Sequence, residues 1–294
     1  MDILNVREEF PIKRNRVYLN NASIGPLSNP VISAVDAFMA DVRDNGRNHY
    51  PQWCEQADHA IKNRIAGMIG ANKSEIAFIK NTTEGILIVA NGIDWQPGDN
   101  VVISSLEFPS NRIVWESLDK CGVDTRIAEI AGVDAAEDAI IKQIDKRTRL
   151  VSVSSVQYGT GLRLDIARLG AACRERDVLF CVDAIQSLGA VSFDVQSIQA
   201  DFVMADGHKW MMGPEGVALF WCRSGIMDRL ELKQYGWHMV EDCGTDRVEM
   251  PEKRLKIDAC GRTIDRAKAP FERRGPVVQG NMPVLRGRFF NRAP

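Results

Sequence analysis

Between residues 74 and 223, short runs rich in β-formers alternate with stretches of helical spacing, and this rhythm limits the fold more than any other feature. The runs are IAFI (76–79), VVISS (101–105), LVSVSS (150–155), VLFCVDA (178–184), DFVMAD (201–206) and VALFWC (217–222). Between them the periodicity predicts helices over 84–91, 111–120, 135–144 and 165–176. In the last of these Asp165 stands at the N-cap position and Ile166, Leu169 and Cys173 share one face. Runs that stay apolar at successive positions have no face for water, so the sheet should be mostly parallel with helices on both sides. The expected fold is therefore α/β, a three-layer αβα sandwich. Only a glycine-rich turn at 213–216 separates the last two runs, too short for a crossover helix, which predicts that VALFWC runs antiparallel.

Composition narrows the function classes. A formal net charge of -2 creates no field for polyanions, and no Lys/Arg run is interleaved with aromatics, so nucleic acid is not an expected partner. The N-terminal stretch MDILNVREEFPIKRNRVYLNNA is charged throughout, without the apolar core of a secretory signal. No segment approaches the roughly 18 apolar residues of a membrane span, so no membrane partner is expected and a cytoplasmic location is. The seven cysteines are scattered without CxxC spacing, and the four histidines (49, 59, 208, 238) lack ligand spacing, so neither a metal nor a disulfide framework is expected.

In parallel sheets, ligands bind beyond the carboxyl ends of the strands, and the polar residues of this chain collect there. Asn81-Thr82-Thr83-Glu84-Gly85 follows IAFI and opens a helix, where free backbone N–H groups and two hydroxyls can hold an anion; a plain threonine N-cap is the simpler alternative. Asp183 ends a run expected at the centre of the sheet, where a carboxylate needs a cationic partner or a capping role. Lys209, in DGHKW after another strand, is either a surface lysine or an amine made nucleophilic by partial enclosure. Phe108, in EFPSN, is a core side chain or an aromatic at the mouth of a site. Neither GxxxxGK(S/T) nor GxGxxG occurs, so the glycines do not signal a nucleotide. Taken jointly, an anion turn, an aromatic, an acid and a lysine at successive strand ends suit a flat, phosphorylated, cationic heterocycle bonded to a lysine.

The ordered motifs NTTEG, EFPSN, SSVQYGTG, VDAIQ and DGHKWMMGPEG, within a stretch from about Tyr18 to about Trp237, resemble the class V aminotransferase family. That group includes cysteine desulfurases and selenocysteine lyases among the fold-type I pyridoxal 5'-phosphate (PLP) enzymes. The resemblance implies that Lys209 carries PLP as a Schiff base and later serves as general base at Cα, and that Asp183 keeps the pyridine nitrogen protonated. It implies that Thr82, Thr83 and His208 hold the phosphate and Gln186 touches the ring hydroxyl. Phe108 would stack on the ring, and Gln157 or its neighbour Tyr158 would face the cofactor. Asn20, Asn21 and Ala22 would lie near an amino-acid substrate, and the enzyme would be a homodimer.

Two departures bear on the reaction. Desulfurases of the family carry a His where Phe108 stands and a sulfur-accepting Cys on a C-terminal loop, whereas Cys243 and Cys260 lie in sequence that does not align. Amino transfer is accordingly expected ahead of desulfuration. Asp206 stands where desulfurases tend to have Ser beside the phosphate, an added anion that must turn away or find a base. The expected organisation is an N-terminal arm (1–20), a PLP-binding large domain (21–240) and a tail (241–294). That tail holds 12 Lys/Arg against 8 Asp/Glu and shows little periodicity. It does not resemble the family's small C-terminal domain of about a hundred residues, the source of an arginine for the substrate carboxylate. The tail is expected to be poorly ordered, the small domain missing or incomplete through truncation or a frame change, and an inactive PLP-binding remnant is the third functional reading.

Overall fold

Each of the six apolar runs forms a strand whose bounds fall within two residues of expectation, because every one is buried on both faces. The computed structural model describes residues 3–231, 233 and 234. In chain order the elements are α1 (Ile3–Glu8), α2 (Asn29–Asn45), α3 (Tyr50–Glu55), α4 (Lys62–Ile69), β1 (Ile76–Ile79), α5 (Thr82–Gly92), β2 (Asn100–Ser104) and α6 (Ser110–Glu116). They continue with β3 (Asp124–Ala128), α7 (Ala136–Lys142), β4 (Thr148–Ser154), α8 (Ile166–Glu175), β5 (Leu179–Asp183), α9 (Val195–Ile198), β6 (Phe202–Asp206) and β7 (Ala218–Cys222). A π-helical stretch, Gln56–Ile61, joins α3 to α4.

The seven strands form one sheet in the order β1-β7-β6-β5-β4-β2-β3. Strands β2 to β6 pair in parallel, and β7 is antiparallel to both β6 and β1, as the short 213–216 turn requires. β5, with Asp183 as its last residue, is the middle strand. The carboxyl ends of β1, β2, β4, β5 and β6 therefore open on a single edge.

Alternation along the strands divides the core into two layers. Val102, Val151, Val153, Val182 and Val203 point to the face covered by α4, α7, α8 and α9. Val101, Ile103, Leu150, Cys181 and Met204 point to the face covered by α5 and α6. Each such side chain contributes about 1.5–3 kcal/mol of transfer free energy, and the outcome is the three-layer αβα arrangement. Asp165 caps α8 as expected, its carboxylate accepting the Arg168 N–H at 3.0 Å, and Leu169 and Cys173 are buried beneath it.

Six of these elements had no counterpart in the sequence reading: β3 and the helices α1, α2, α3, α4 and α9. β3 is an edge strand whose first four residues are exposed or half-buried, so it lacks the continuous apolar signal of the others. α2 is a 17-residue helix without a buried residue. Among the described residues no helix is long and apolar enough to cross a membrane, and no His/Cys/Asp/Glu group could hold a metal ion. The 241–294 tail, with Cys243 and Cys260, lies outside the described residues.

Candidate active site

A cavity of about 140 Å³ sits on the edge where the strand ends meet, lined by Thr82, Thr83, Phe108, Asp183, Gln186, His208 and Lys209 from the expected set. Ser110, Ser154, Tyr158, Ile185 and Asp206 complete the wall. A second cavity adjoins it, sharing Phe108, Tyr158, His208 and Lys209, and adds Asn20, Ala22, Ser23, Ile24 and Glu215. Asn21 lines neither.

One end of the cavity is rich in donors. Asn81, not a threonine, is the N-cap of α5, its side chain accepting the Glu84 N–H at 2.9 Å. That leaves Thr82 and Thr83 in the first turn, at the positive end of the helix. The Thr83 hydroxyl donates to Ser110 Oγ at 2.9 Å. The Thr82 backbone N–H and hydroxyl are both directed to Asp206 Oδ2, at 3.1 and 3.0 Å.

The opposite end holds Asp183, 4% exposed. Its Oδ1 accepts the Ile185 N–H at 3.0 Å, and among the described residues no side-chain donor hydrogen-bonds to it. Burial pushes its carboxyl up to about 7; nearby Glu107 and Asp206 add to the effect, while the Ile185 N–H and Lys209 oppose it. Lys209 moves the other way, because burial favours its neutral amine and the Asp183 and Asp206 charges only partly compensate. In both groups burial works against the charged form.

Phe108 is 44% exposed, so it is a wall residue and not core. Its ring centroid lies 5.8 Å from Lys209 Nζ and 5.1 Å from that of Tyr158, which meets it edge-on at 90°. Of the pair Gln157 and Tyr158, Tyr158 faces the cavity. Gln157 is buried behind it, its Nε2 donating to Glu107 Oε1 and Ser154 O at 3.2 Å each, with Oε1 unpartnered. Glu107 was not singled out from the sequence, yet it organises this wall. Its buried carboxylate accepts from Ser104 Oγ (2.7 Å), Asn111 Nδ2 (2.8 Å), Ser154 N and Oγ (2.9 and 2.5 Å) and Gln157. The only sequence signal was an acidic residue beside an aromatic at a strand end.

Backbone packing fixes the lysine segment. The Gly25 N–H donates to His208 O at 2.7 Å, and a Cβ on Gly25 would lie 1.9 Å from Lys209 O. Gly189, at φ +97°, meets Trp210 O so closely that a Cβ would sit at 2.5 Å. Gln186 ties the two sides together. Its Nε2 donates to Ala22 O and its Oε1 accepts the Trp210 indole N–H, both at 2.9 Å, so one amide hydrogen remains for a ligand.

The chain matches known proteins along most of its length. The Aminotransferase class-V family covers residues 17–264, running past the point near Trp237 where the resemblance was expected to end. A probable cysteine desulfurase of Methanothermobacter thermautotrophicus is 34% identical over 263 residues, 87% of this chain and 65% of that protein. Among solved structures, the apo cysteine desulfurase of Thermococcus onnurineus NA1 is 28% identical with TM-score 0.74, covering 84% of this chain and 63% of that one. A variant of the protein C-DES, with glycine covalently linked to its PLP cofactor, superposes with TM-score 0.77 over 90% of this chain and 68% of that one. At 23% identity it speaks to the fold alone. The chain thus spans just under two thirds of the length of the first two relatives. With a family match over most of its residues and the mostly parallel sheet that carries the site, the chain belongs to the aminotransferase class-V family.

Proposed function

We propose that this protein is a PLP-dependent enzyme acting at Cα of an amino acid, with Lys209 as the residue that bonds the cofactor. The observation that carries the reading is Asp183, a buried carboxylate at the end of the middle strand with a single backbone donor. A protonated pyridine nitrogen is the kind of partner that removes its desolvation cost. The rest of the wall fits the same group: Thr83, Ser110 and His208 offer donors for a phosphate, Gln186 an amide hydrogen for the ring hydroxyl, and Phe108 an apolar face. When bound, PLP supplies the sink for electrons released at Cα.

The protein's own residues then divide the work. Lys209, whose neutral form burial favours, would be the residue that holds PLP through its Nζ and yields that place to a substrate amine. Its Nζ is then free to accept the Cα proton as general base. Asp183 would pair with the ring nitrogen and keep it protonated. Phe108 and Tyr158 shield the reacting face from water at the junction of the two cavities, and the outer cavity, with Asn20 and Ala22, receives the substrate.

For the outcome, loss of sulfur from a cysteine-type substrate is our first reading, supported by relatives named cysteine desulfurase. This reverses the order expected from the sequence. Amino transfer is the second reading, favoured by Phe108, whose ring carries no proton to relay. The deciding experiment adds cysteine, and other amino acids singly, to the PLP-loaded full chain with a thiol reductant and a 2-oxo acid acceptor present, and assays sulfide and the donor's keto acid separately. Sulfide from cysteine supports the first reading and keto acid without sulfide the second; the absence of both products would refute the proposal that the chain turns over amino acids. We further propose a cytoplasmic homodimer with an amino acid as its small-molecule partner, to be checked by sedimentation of the loaded protein.

A further inference from the structure

Asp206 is an acid in the one part of the cavity that should welcome an anion. Its carboxylate is 6% exposed and is oriented by two donors from the first turn of α5, the Thr82 N–H and hydroxyl, which both take Oδ2. The other oxygen, Oδ1, is buried with no hydrogen-bond partner among the described residues. Among the described residues the nearest basic nitrogen, His208 Nδ1, stands 3.8 Å away, beyond hydrogen-bond range. The carboxylate cannot easily rotate away, because doing so would strand both Thr82 donors.

An oxyanion entering this end meets Asp206 as a neighbour, and two anionic oxygens side by side are strongly unfavourable unless a proton lies between them. Among the described residues the charged or titratable groups on the cavity wall are Asp183, Asp206, His208, Lys209 and Tyr158; α5 and α6 bring only hydroxyls and backbone N–H groups. Lys209 is committed to the cofactor aldehyde and Asp183 to the ring nitrogen in the proposed function, on which this inference rests. Among the described residues no arginine lines the cavity to offset a second phosphate charge.

We propose that Asp206 is a phosphate-binding residue that selects the singly charged form of the cofactor phosphate, with one proton shared between a phosphate oxygen and Asp206 Oδ1. The proton is the one a phosphate monoester carries below its second pKa of about 6. At higher pH it is taken up from solvent on binding, and no other bond is made or broken. Thr82 thereby becomes a residue that positions Asp206, and the direct phosphate donors are Thr83, Ser110 and His208.

Phosphorus NMR of the PLP-loaded full chain tests this, because the resonance position reports the charge of the phosphate whether or not the enzyme turns over. The wild-type resonance should stay at the monoanion position from about pH 6 to about pH 8, where free PLP passes to the dianion. In Asp206→Asn, or in Asp206→Ser should the amide fail to fold, it should move to the dianion position. A wild-type resonance at the dianion position at pH 8 overturns the inference alone, with no variant needed. A full chain that retains no PLP overturns it together with the cofactor assignment.

Discussion

Replacing Asp183 by Asn should make the cofactor-free protein more stable. The carboxyl rises from an ordinary 3.8 to about 7 on folding, mainly through loss of solvent. Below about pH 4 it is neutral in both the folded and the unfolded chain and has no effect. Between about pH 4 and pH 7 the unfolded chain ionises and the folded one does not. Each unit in that window removes about 1.4 kcal/mol of stability, and about three units remove on the order of 4 kcal/mol. Asn retains an acceptor for the Ile185 N–H but carries no charge to desolvate. In urea unfolding of cofactor-stripped protein, the variant should exceed wild type by about 1–2 kcal/mol at pH 5 and by about 4 kcal/mol at pH 8. With PLP present the order should reverse, since only the acid can pair with the ring cation. A gap that is the same at pH 5 and pH 8, or a less stable variant at pH 8, would refute the assignment of Asp183 as an uncompensated buried acid.

Three further substitutions probe the walls of the site. Gly25→Ala places a methyl group 1.9 Å from Lys209 O; it should cost about 1–3 kcal/mol in urea unfolding and weaken PLP retention in a fluorescence titration, and unchanged values would mean that residues 22–25 do not brace the lysine segment. Glu107→Ala strands donors from Ser104, Asn111, Ser154 and Gln157. It should lose about 1–3 kcal/mol for each buried donor that finds no new acceptor, and an unshifted urea midpoint would contradict the organising role. Phe108→Ala should weaken PLP binding by about 0.5–1.5 kcal/mol while leaving the melting temperature of stripped protein unchanged, because the ring is half exposed and carries little of the core.

The parts of this fold that the sequence disclosed are those where local and tertiary demands coincide. β1, β5 and β6 are buried on both faces, so continuous apolar runs marked them, and the polar residues that ended those runs marked the ligand edge. β3 escaped because an edge strand needs no such run, with Asp124 and Ile127 exposed. α2 carries Ile32, Val35 and Met39 at helical spacing, but all three are exposed and the helix buries no residue, so it has no core-facing stripe to mark it.

Within the site, Thr82, Thr83, Phe108, Asp183, Gln186, His208 and Lys209 all reach one cavity. What the chain order could not disclose is how they are shared out. The bond from Thr82 to Asp206 spans 124 positions and redirects two donors expected to face a phosphate. Gln157 and Tyr158 are adjacent in sequence, and only the backbone path after β4 decides which one faces the cavity. Glu107 looked incidental because its partners come from β2, α6, β4 and the segment beyond.

The central claim is that Lys209 bonds the cofactor, and borohydride trapping addresses it directly. The PLP-loaded full chain is reduced, digested and mapped by mass spectrometry alongside Lys209→Ala treated in the same way. The account predicts a stable phosphopyridoxyl mass on the peptide containing Lys209, loss of the visible absorbance on reduction, and neither label nor absorbance in the variant. Label on other lysines with Lys209 unmodified, or a visible band that survives in Lys209→Ala, would contradict it.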